Sequence, residues 1–268
     1  MKEMTLKDNI KISGVGVHTG VISTIYLHPE EKGGIRFIKN EIVIPAREDS
    51  IFETERGIVL SGGSEKIYTV EHLLAALFSC GIDHLTIEVK GKEIPALDGS
   101  AFPFIKAMET VGFVNLPEEK DNRYIQNSYS VEGRGCFAYA RPADRLEISY
   151  VISYDHPLLS YQEYRYNGKS NFKMEIARAR TYGLLSWKEE LQASGYALAA
   201  SSENTLIYDQ KGILNNPRFP DEAVRHKILD FSGDLYLFRP IFIGSYFISR
   251  GGHRLHIELL KKIKRSES

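Results

Sequence analysis

Val70-Glu71-His72-Leu73-Leu74 and Val224-Arg225-His226-Lys227-Ile228-Leu229 are the stretches on which the fold turns. Each sets a histidine two residues after a valine and just ahead of apolar residues. In the first, Val70, Leu73, Leu74 and Leu77 recur at i, i+3, i+4 and i+7, which predicts an amphipathic helix with Thr69 as N-cap and its end at Gly81. In the second, a helix beginning near Asp221 carries Val224, Ile228, Leu229 and Phe231 on its apolar side. Working outward, β-rich sequence precedes each helix: Val21 to His28 and Gly34 to Ile44 in the first half, Tyr124 to Tyr166 in the second. An apolar strand follows each, Leu85 to Val89 and Ile241 to Ile248, and then a further helix, Phe102 to Val111 and about Leu255 to Lys264.

The parallel predicts an α+β fold of two similar domains, each of layered sheet and helices, over residues 1–115 and 124–268. The polar, proline-headed run Leu116 to Arg123 is expected to link them. Facing domains would bring His72 and His226 to a common interface, and clefts between domains favour binding sites.

The chain has 268 residues, 43% of them hydrophobic, enough for two ordinary cores. Its 34 basic and 35 acidic residues leave a net charge of -1, which excludes a long-range field for nucleic acid or an anionic membrane. No apolar run reaches the ~18 residues of a membrane span, and Met1-Lys2-Glu3-Met4 does not begin a signal peptide. Peripheral membrane contact stays open. Cys80 and Cys136 form no Cys-x-x-Cys pair, so a soluble protein in the reduced cytoplasm is expected.

His226-Lys-Ile-Leu-Asp230 places an imidazole and a carboxylate four residues apart, on one face of a helix, where both can reach one ion. A zinc site of the catalytic kind needs a third protein ligand. His72 suits it, lying in the first turn of a predicted helix directly after Glu71. A glutamate beside a ligand can take a proton from water while staying outside the metal's shell. A His-x-x-x-Asp pair also serves as a plain charge pair, and Glu71 as an acid favoured at a helix N-terminus. Spacing alone leaves both readings open.

Gly14-Val-Gly-Val-His-Thr-Gly20, Thr69-Val-Glu-His-Leu73, Glu93-Ile-Pro-Ala-Leu-Asp-Gly-Ser100, Ala179-Arg-Thr181, Phe219 to Asp230, Gly233-Asp-Leu-Tyr-Leu237 and Gly251-Gly-His253 follow one another along nearly the whole chain. In that order they resemble the motifs of the UDP-3-O-acyl-N-acetylglucosamine deacetylases of lipid A biosynthesis. The resemblance implies an active site at the interface of two α+β domains. It also implies hydrolysis of the acetamide of UDP-3-O-(3-hydroxyacyl)-N-acetylglucosamine to acetate and the free amine. Carried over, the zinc ligands fall on His72, His226 and Asp230, with one Zn2+ per chain and Fe2+ as the alternative occupant. Glu71 becomes the general base and His253, on a Gly-Gly loop, the general acid, kept charged by Asp234. The Thr181 hydroxyl faces the oxyanion, and Lys227 adds positive charge near it or near the substrate phosphates.

An insert from Arg180 to about Asn204 is expected to form the acyl passage, with Tyr182, Leu184, Leu185, Trp187 and Leu191 along it. His18 fits a tight turn or a substrate contact, the turn being favoured. Departures from the family pattern are Ala199-Ala200 where Gly-Gly is expected, His256 where Asn is usual, and Trp187 in place of a polar residue. They leave the metal set intact and touch the acyl chain and nucleotide contacts. A monomer is expected. The competing readings are a non-catalytic, zinc-stabilised sugar-nucleotide binding protein and a deacetylase of another N-acetylated sugar.

Overall fold

The structure, a computed structural model, describes residues 1–267. Each half of the chain builds a five-stranded sheet. In the first half β1 (Ile10–Val15), β2 (Ile22–Pro29), β3 (Ile35–Lys39) and β4 (Ile42–Pro45) precede helix α1 (Glu71–Cys80), strand β5 (Leu85–Lys90) and helix α2 (Phe102–Val111). In the second half β6 (Tyr129–Gly133), β7 (Cys136–Arg141), β8 (Glu147–Ile152) and β9 (Gln162–Tyr166) precede α3 (Glu222–Tyr236), β10 (Ser245–Ser249) and α4 (His253–Glu267).

The spatial order is β1-β2-β5-β3-β4 in one sheet and β6-β7-β10-β8-β9 in the other. Corresponding neighbours also share direction: only β5 with β3 and β10 with β8 run parallel. The halves are therefore two copies of one α+β unit. Alternation makes the sheets one-sided: Ile25, Leu27, Phe37 and Ile87 point into one core, and Ile148, Tyr150, Ile152 and Ile248 into the other. In the second unit α3 covers β8 and β9 while α4 covers β6 and β7.

The first helix of each unit, α1 and α3, pack against each other more extensively than any other pair of helices. Gly233 permits this. A Cβ there would overlap the carbonyl oxygen of Glu71 and come within 2.9 Å of its carbon and 3.0 Å of its Cα, all backbone atoms that cannot swing aside.

Several boundaries differ from the sequence reading. Thr69 does not cap α1: its backbone is left-handed, with φ of 59°, and its hydroxyl donates to the buried Glu93 carboxylate at 3.0 Å. Glu93 also gathers the backbone N–H groups of His18 and Thr19, so its demand for donors outweighs the cap. Helix α4 starts at His253 rather than Leu255, which puts that histidine on a helix instead of a loop. The apolar run Ile241 to Ile248 breaks at Gly244 into two strands.

The expected linker is ordered strand. Phe113–Glu119 pairs antiparallel with Lys2–Leu6, and Asn122–Tyr124 runs parallel to Ile241–Ile243. Its polarity is that of edge strand: within residues 116–123 Leu116 alone is buried. Among the described residues no helix is long and apolar enough to cross a membrane.

Candidate metal centre and catalytic cleft

Helix period and the close crossing of α1 with α3 assemble the centre. His226 and Asp230 lie one turn apart on α3. His72, in the first turn of α1, reaches the same spot from the other unit. His226 Nε2 stands 3.2 Å and His72 Nε2 3.6 Å from Asp230 Oδ1, and the two imidazoles meet edge to face at 4.9 Å. All three side chains are buried. They form a group able to hold a metal ion.

The surroundings fit that use. His226 Nδ1–H donates to the Ala179 carbonyl at 3.1 Å, which fixes the tautomer and leaves the Nε2 lone pair facing the cluster. Burial pushes His226 down to about 4, so the ring is neutral, as a ligand must be. Lys227 Nζ donates to the other Asp230 oxygen, Oδ2, at 2.6 Å, so that Oδ1 is the oxygen turned toward the histidines. Burial opposes the charge of Asp230, but the Lys227 ammonium and the hydrogen bond with His72 help outweigh it and hold the carboxyl well below the usual carboxylate range.

Glu71 and His253 flank this set. Ile58 N–H donates to Glu71 Oε2 at 3.0 Å, while Oε1 faces His253 Nε2 at 3.9 Å. Burial pushes the Glu71 carboxyl up. Behind His253, Asp234 Oδ2 accepts from Nδ1–H at 2.8 Å. Burial disfavours the imidazolium, yet the Asp234 carboxylate outweighs it and raises His253 to about 9. Asp234, His253 and His256 also converge closely, but at 2.7 and 2.8 Å they satisfy one another as hydrogen bonds.

Thr181 reaches the cavity from the second unit, its N–H donating to Gly99 of the first at 2.8 Å. Gly99 has φ of 79° and no room for a side chain, since a Cβ would overlap the Asn204 carbonyl oxygen. Arg218 secures the same turn through Asp98 at 2.7 Å.

The centre opens into a cavity of about 400 Å³. Glu71, His72, Thr181, Tyr182, Leu184, Leu185, His226, Lys227, Asp230 and His253 all line it, with Trp187 and Leu191. Of the site residues expected from sequence, Asp234 alone stands back, behind His253. Arg56, Lys188 and Tyr154 line the cavity without having been expected there. Nothing local distinguishes them, because they arrive through long-range packing of the insert. His18 proves more than a turn residue. Its Nδ1 accepts from Ala197 N–H and its Nε2 faces the Arg56 carbonyl, each at 3.2 Å, so it joins the insert to the first unit beside the cavity.

Two buried imidazoles and a carboxylate, with an acid–base pair across an apolar-walled cleft, are the parts of a metal-assisted hydrolase. The family model for LpxC, UDP-3-O-acyl N-acetylglycosamine deacetylase, matches residues 3–265. The chain is 37% identical over 273 residues to the UDP-3-O-acyl-N-acetylglucosamine deacetylase of Nautilia profundicola, covering 100% of this chain and 94% of the relative. It is 38% identical over 280 residues to that of Coxiella burnetii, covering 100% of this chain and 92% of the relative. To that of Anaeromyxobacter dehalogenans it is 38% identical over 269 residues, 97% of this chain and 87% of the relative. The chain belongs to the UDP-3-O-acyl-N-acetylglucosamine deacetylase family.

Proposed function

We propose that this chain hydrolyses the acetamide of UDP-3-O-(3-hydroxyacyl)-N-acetylglucosamine to the free amine and acetate, a committed step of lipid A biosynthesis, using one zinc ion. The observation that carries the reading is the buried His72, His226 and Asp230 set facing one cavity with Glu71 and His253. Zinc held by those three residues supplies a Lewis acid that polarises the amide carbonyl and lowers the pKa of water toward ~7.

The chain's own groups do the rest. Glu71, held at one oxygen by Ile58 N–H, takes the proton of the attacking water through the other. The Thr181 hydroxyl donates to the amide oxygen as it gains charge, and Lys227 adds positive charge nearby. His253 gives its Nε2 proton to the leaving amine while Asp234 holds the ring. Leu184, Leu185, Trp187 and Leu191 offer an apolar wall to the acyl chain, and Arg56 and Lys188 offer cations to the diphosphate. The free cysteines Cys80 and Cys136 suit the reducing cytoplasm.

Comparing acetate release from the acylated UDP-sugar and from UDP-N-acetylglucosamine tests the substrate. Burying four methylenes at about 0.8 kcal/mol each is worth roughly a hundredfold or more in kcat/KM, and that preference is expected. Equal rates would point to another N-acetylated sugar.

The acid has its own pH signature. His253 must be protonated to donate, so kcat is expected to fall as pH rises through about 9. Asp234→Asn removes the carboxylate that raises it most, leaving the weaker pull of Asp230 and Glu71 to oppose burial, and should move this alkaline limb to lower pH. A limb unmoved in Asp234→Asn would contradict the assignment.

A further inference from the structure

His256 sits on α4 three residues after His253 and is fully buried. Its Nδ1 lies 2.7 Å from Asp234 Oδ2, the same oxygen that His253 Nδ1 reaches at 2.8 Å. A carboxylate only accepts, so both imidazoles present N–H to it. On its other side, His256 Nε2 lies 2.8 Å from the hydroxyl of Tyr150, on β8, and that hydroxyl also reaches the Gly251 carbonyl at 2.9 Å. Burial pushes His256 below the usual histidine range, which leaves Nε2 bare to share the tyrosine's single proton with Gly251.

The bonds form a closed circuit. It runs from the backbone two residues before His253, through Tyr150, His256 and Asp234, to the ring of His253 itself. Phe231 and Tyr150 each meet the His256 ring edge to face, at 5.2 and 5.7 Å, so its plane is set by packing as well as by hydrogen bonds. None of these residues except Gly251 and His253 reaches the cavity.

We propose that His256, backed by Tyr150, is a positioning residue: it pins the Asp234 carboxylate so that His253 keeps Nδ1–H toward Asp234 and aims Nε2 at the leaving amine. With His256 absent, Asp234 Oδ2 loses one of its two donors and the carboxylate is free to turn, which releases the ring. This rests on the reading of His253 as proton donor.

The test uses the zinc-loaded full chain and three substitutions of graded chemistry. His256→Asn sets an amide N–H where Nδ1 lies and keeps the donor to Asp234. His256→Gln sets its amide nearer Nε2 and loses that donor, and His256→Phe fills the space with no polar atom. Expected is a fall in kcat of roughly tenfold or more for Gln and Phe, with KM unchanged, and recovery of most of that loss in Asn. Repeated in a His253→Gln background, the His256 substitutions should cost nothing further, because they act through a ring no longer present.

Equal losses in both backgrounds, an Asn variant as impaired as Phe, or a Phe variant at full kcat would each overturn the proposal. If His253→Gln alone kept full kcat, the proton-donor reading would fail and this inference with it, a result distinct from the others. Should Phe or Gln not fold, Tyr150→Phe, which removes only a hydroxyl, decides. A lowered kcat that vanishes in the His253→Gln background supports the circuit, and an unchanged kcat overturns it.

Discussion

Glu71→Ala is expected to lower turnover by about a hundred- to ten-thousandfold while the protein keeps its full complement of metal. Glu71 adjoins His72 in sequence, yet its carboxylate is outside the donor set: one oxygen accepts from Ile58 N–H at 3.0 Å and the other faces His253 Nε2 at 3.9 Å. Burial raises its pKa and so strengthens it as a base. Metal analysis and acetate release on the same preparation separate the possibilities. Loss of metal along with activity would make Glu71 a ligand, and unchanged turnover would remove it from the mechanism.

A comparable loss is expected from a residue with no side chain. Gly233→Ala puts a methyl group onto the backbone of Glu71, where α1 and α3 cross. Alanine is worth about 1 kcal/mol over glycine inside a helix, but forcing apart two packed backbones costs about 1–3 kcal/mol, with little slack nearby. Stability should fall. More tellingly, α1 must shift relative to α3, and His72 moves away from His226 and Asp230 with it. A displacement of about 1 Å is enough to cost roughly a hundredfold in rate, and weaker metal retention should accompany it. A Gly233→Ala protein with the stability, metal content and turnover of the parent would mean that the crossing does not set the centre.

The sequence carried what local periodicity can carry. The apolar spacing of Val70, Leu73, Leu74 and Leu77 marked α1, and the four-residue interval from His226 to Asp230 implied two donors on one face. The echo between the two histidine-bearing helices pointed to duplication, but the matching strand orders depend on pairings between distant segments that no window contains. The strand structure of residues 116–123 was hidden for a different reason: edge strands exposed on most positions have a linker's composition. Thr69 misled because a buried carboxylate far along the chain claimed its hydroxyl.

Within the cleft, the family motifs pointed to Glu71, Thr181 and His253, whereas Arg56 and Lys188 come to the cavity only through tertiary packing. His256 stood out in the sequence as a departure from the family pattern. Its contact with Asp234 depends on how α4 lies against α3, which spacing does not give.

The most direct test of the central claim is acetate release measured while zinc is returned stepwise to chelated protein. A single catalytic ion held by His72, His226 and Asp230 predicts release that rises in proportion to added zinc and levels off at one ion per chain, with His226→Ala silent over the same range. Release by the metal-free protein, or an undiminished response from His226→Ala, would contradict it.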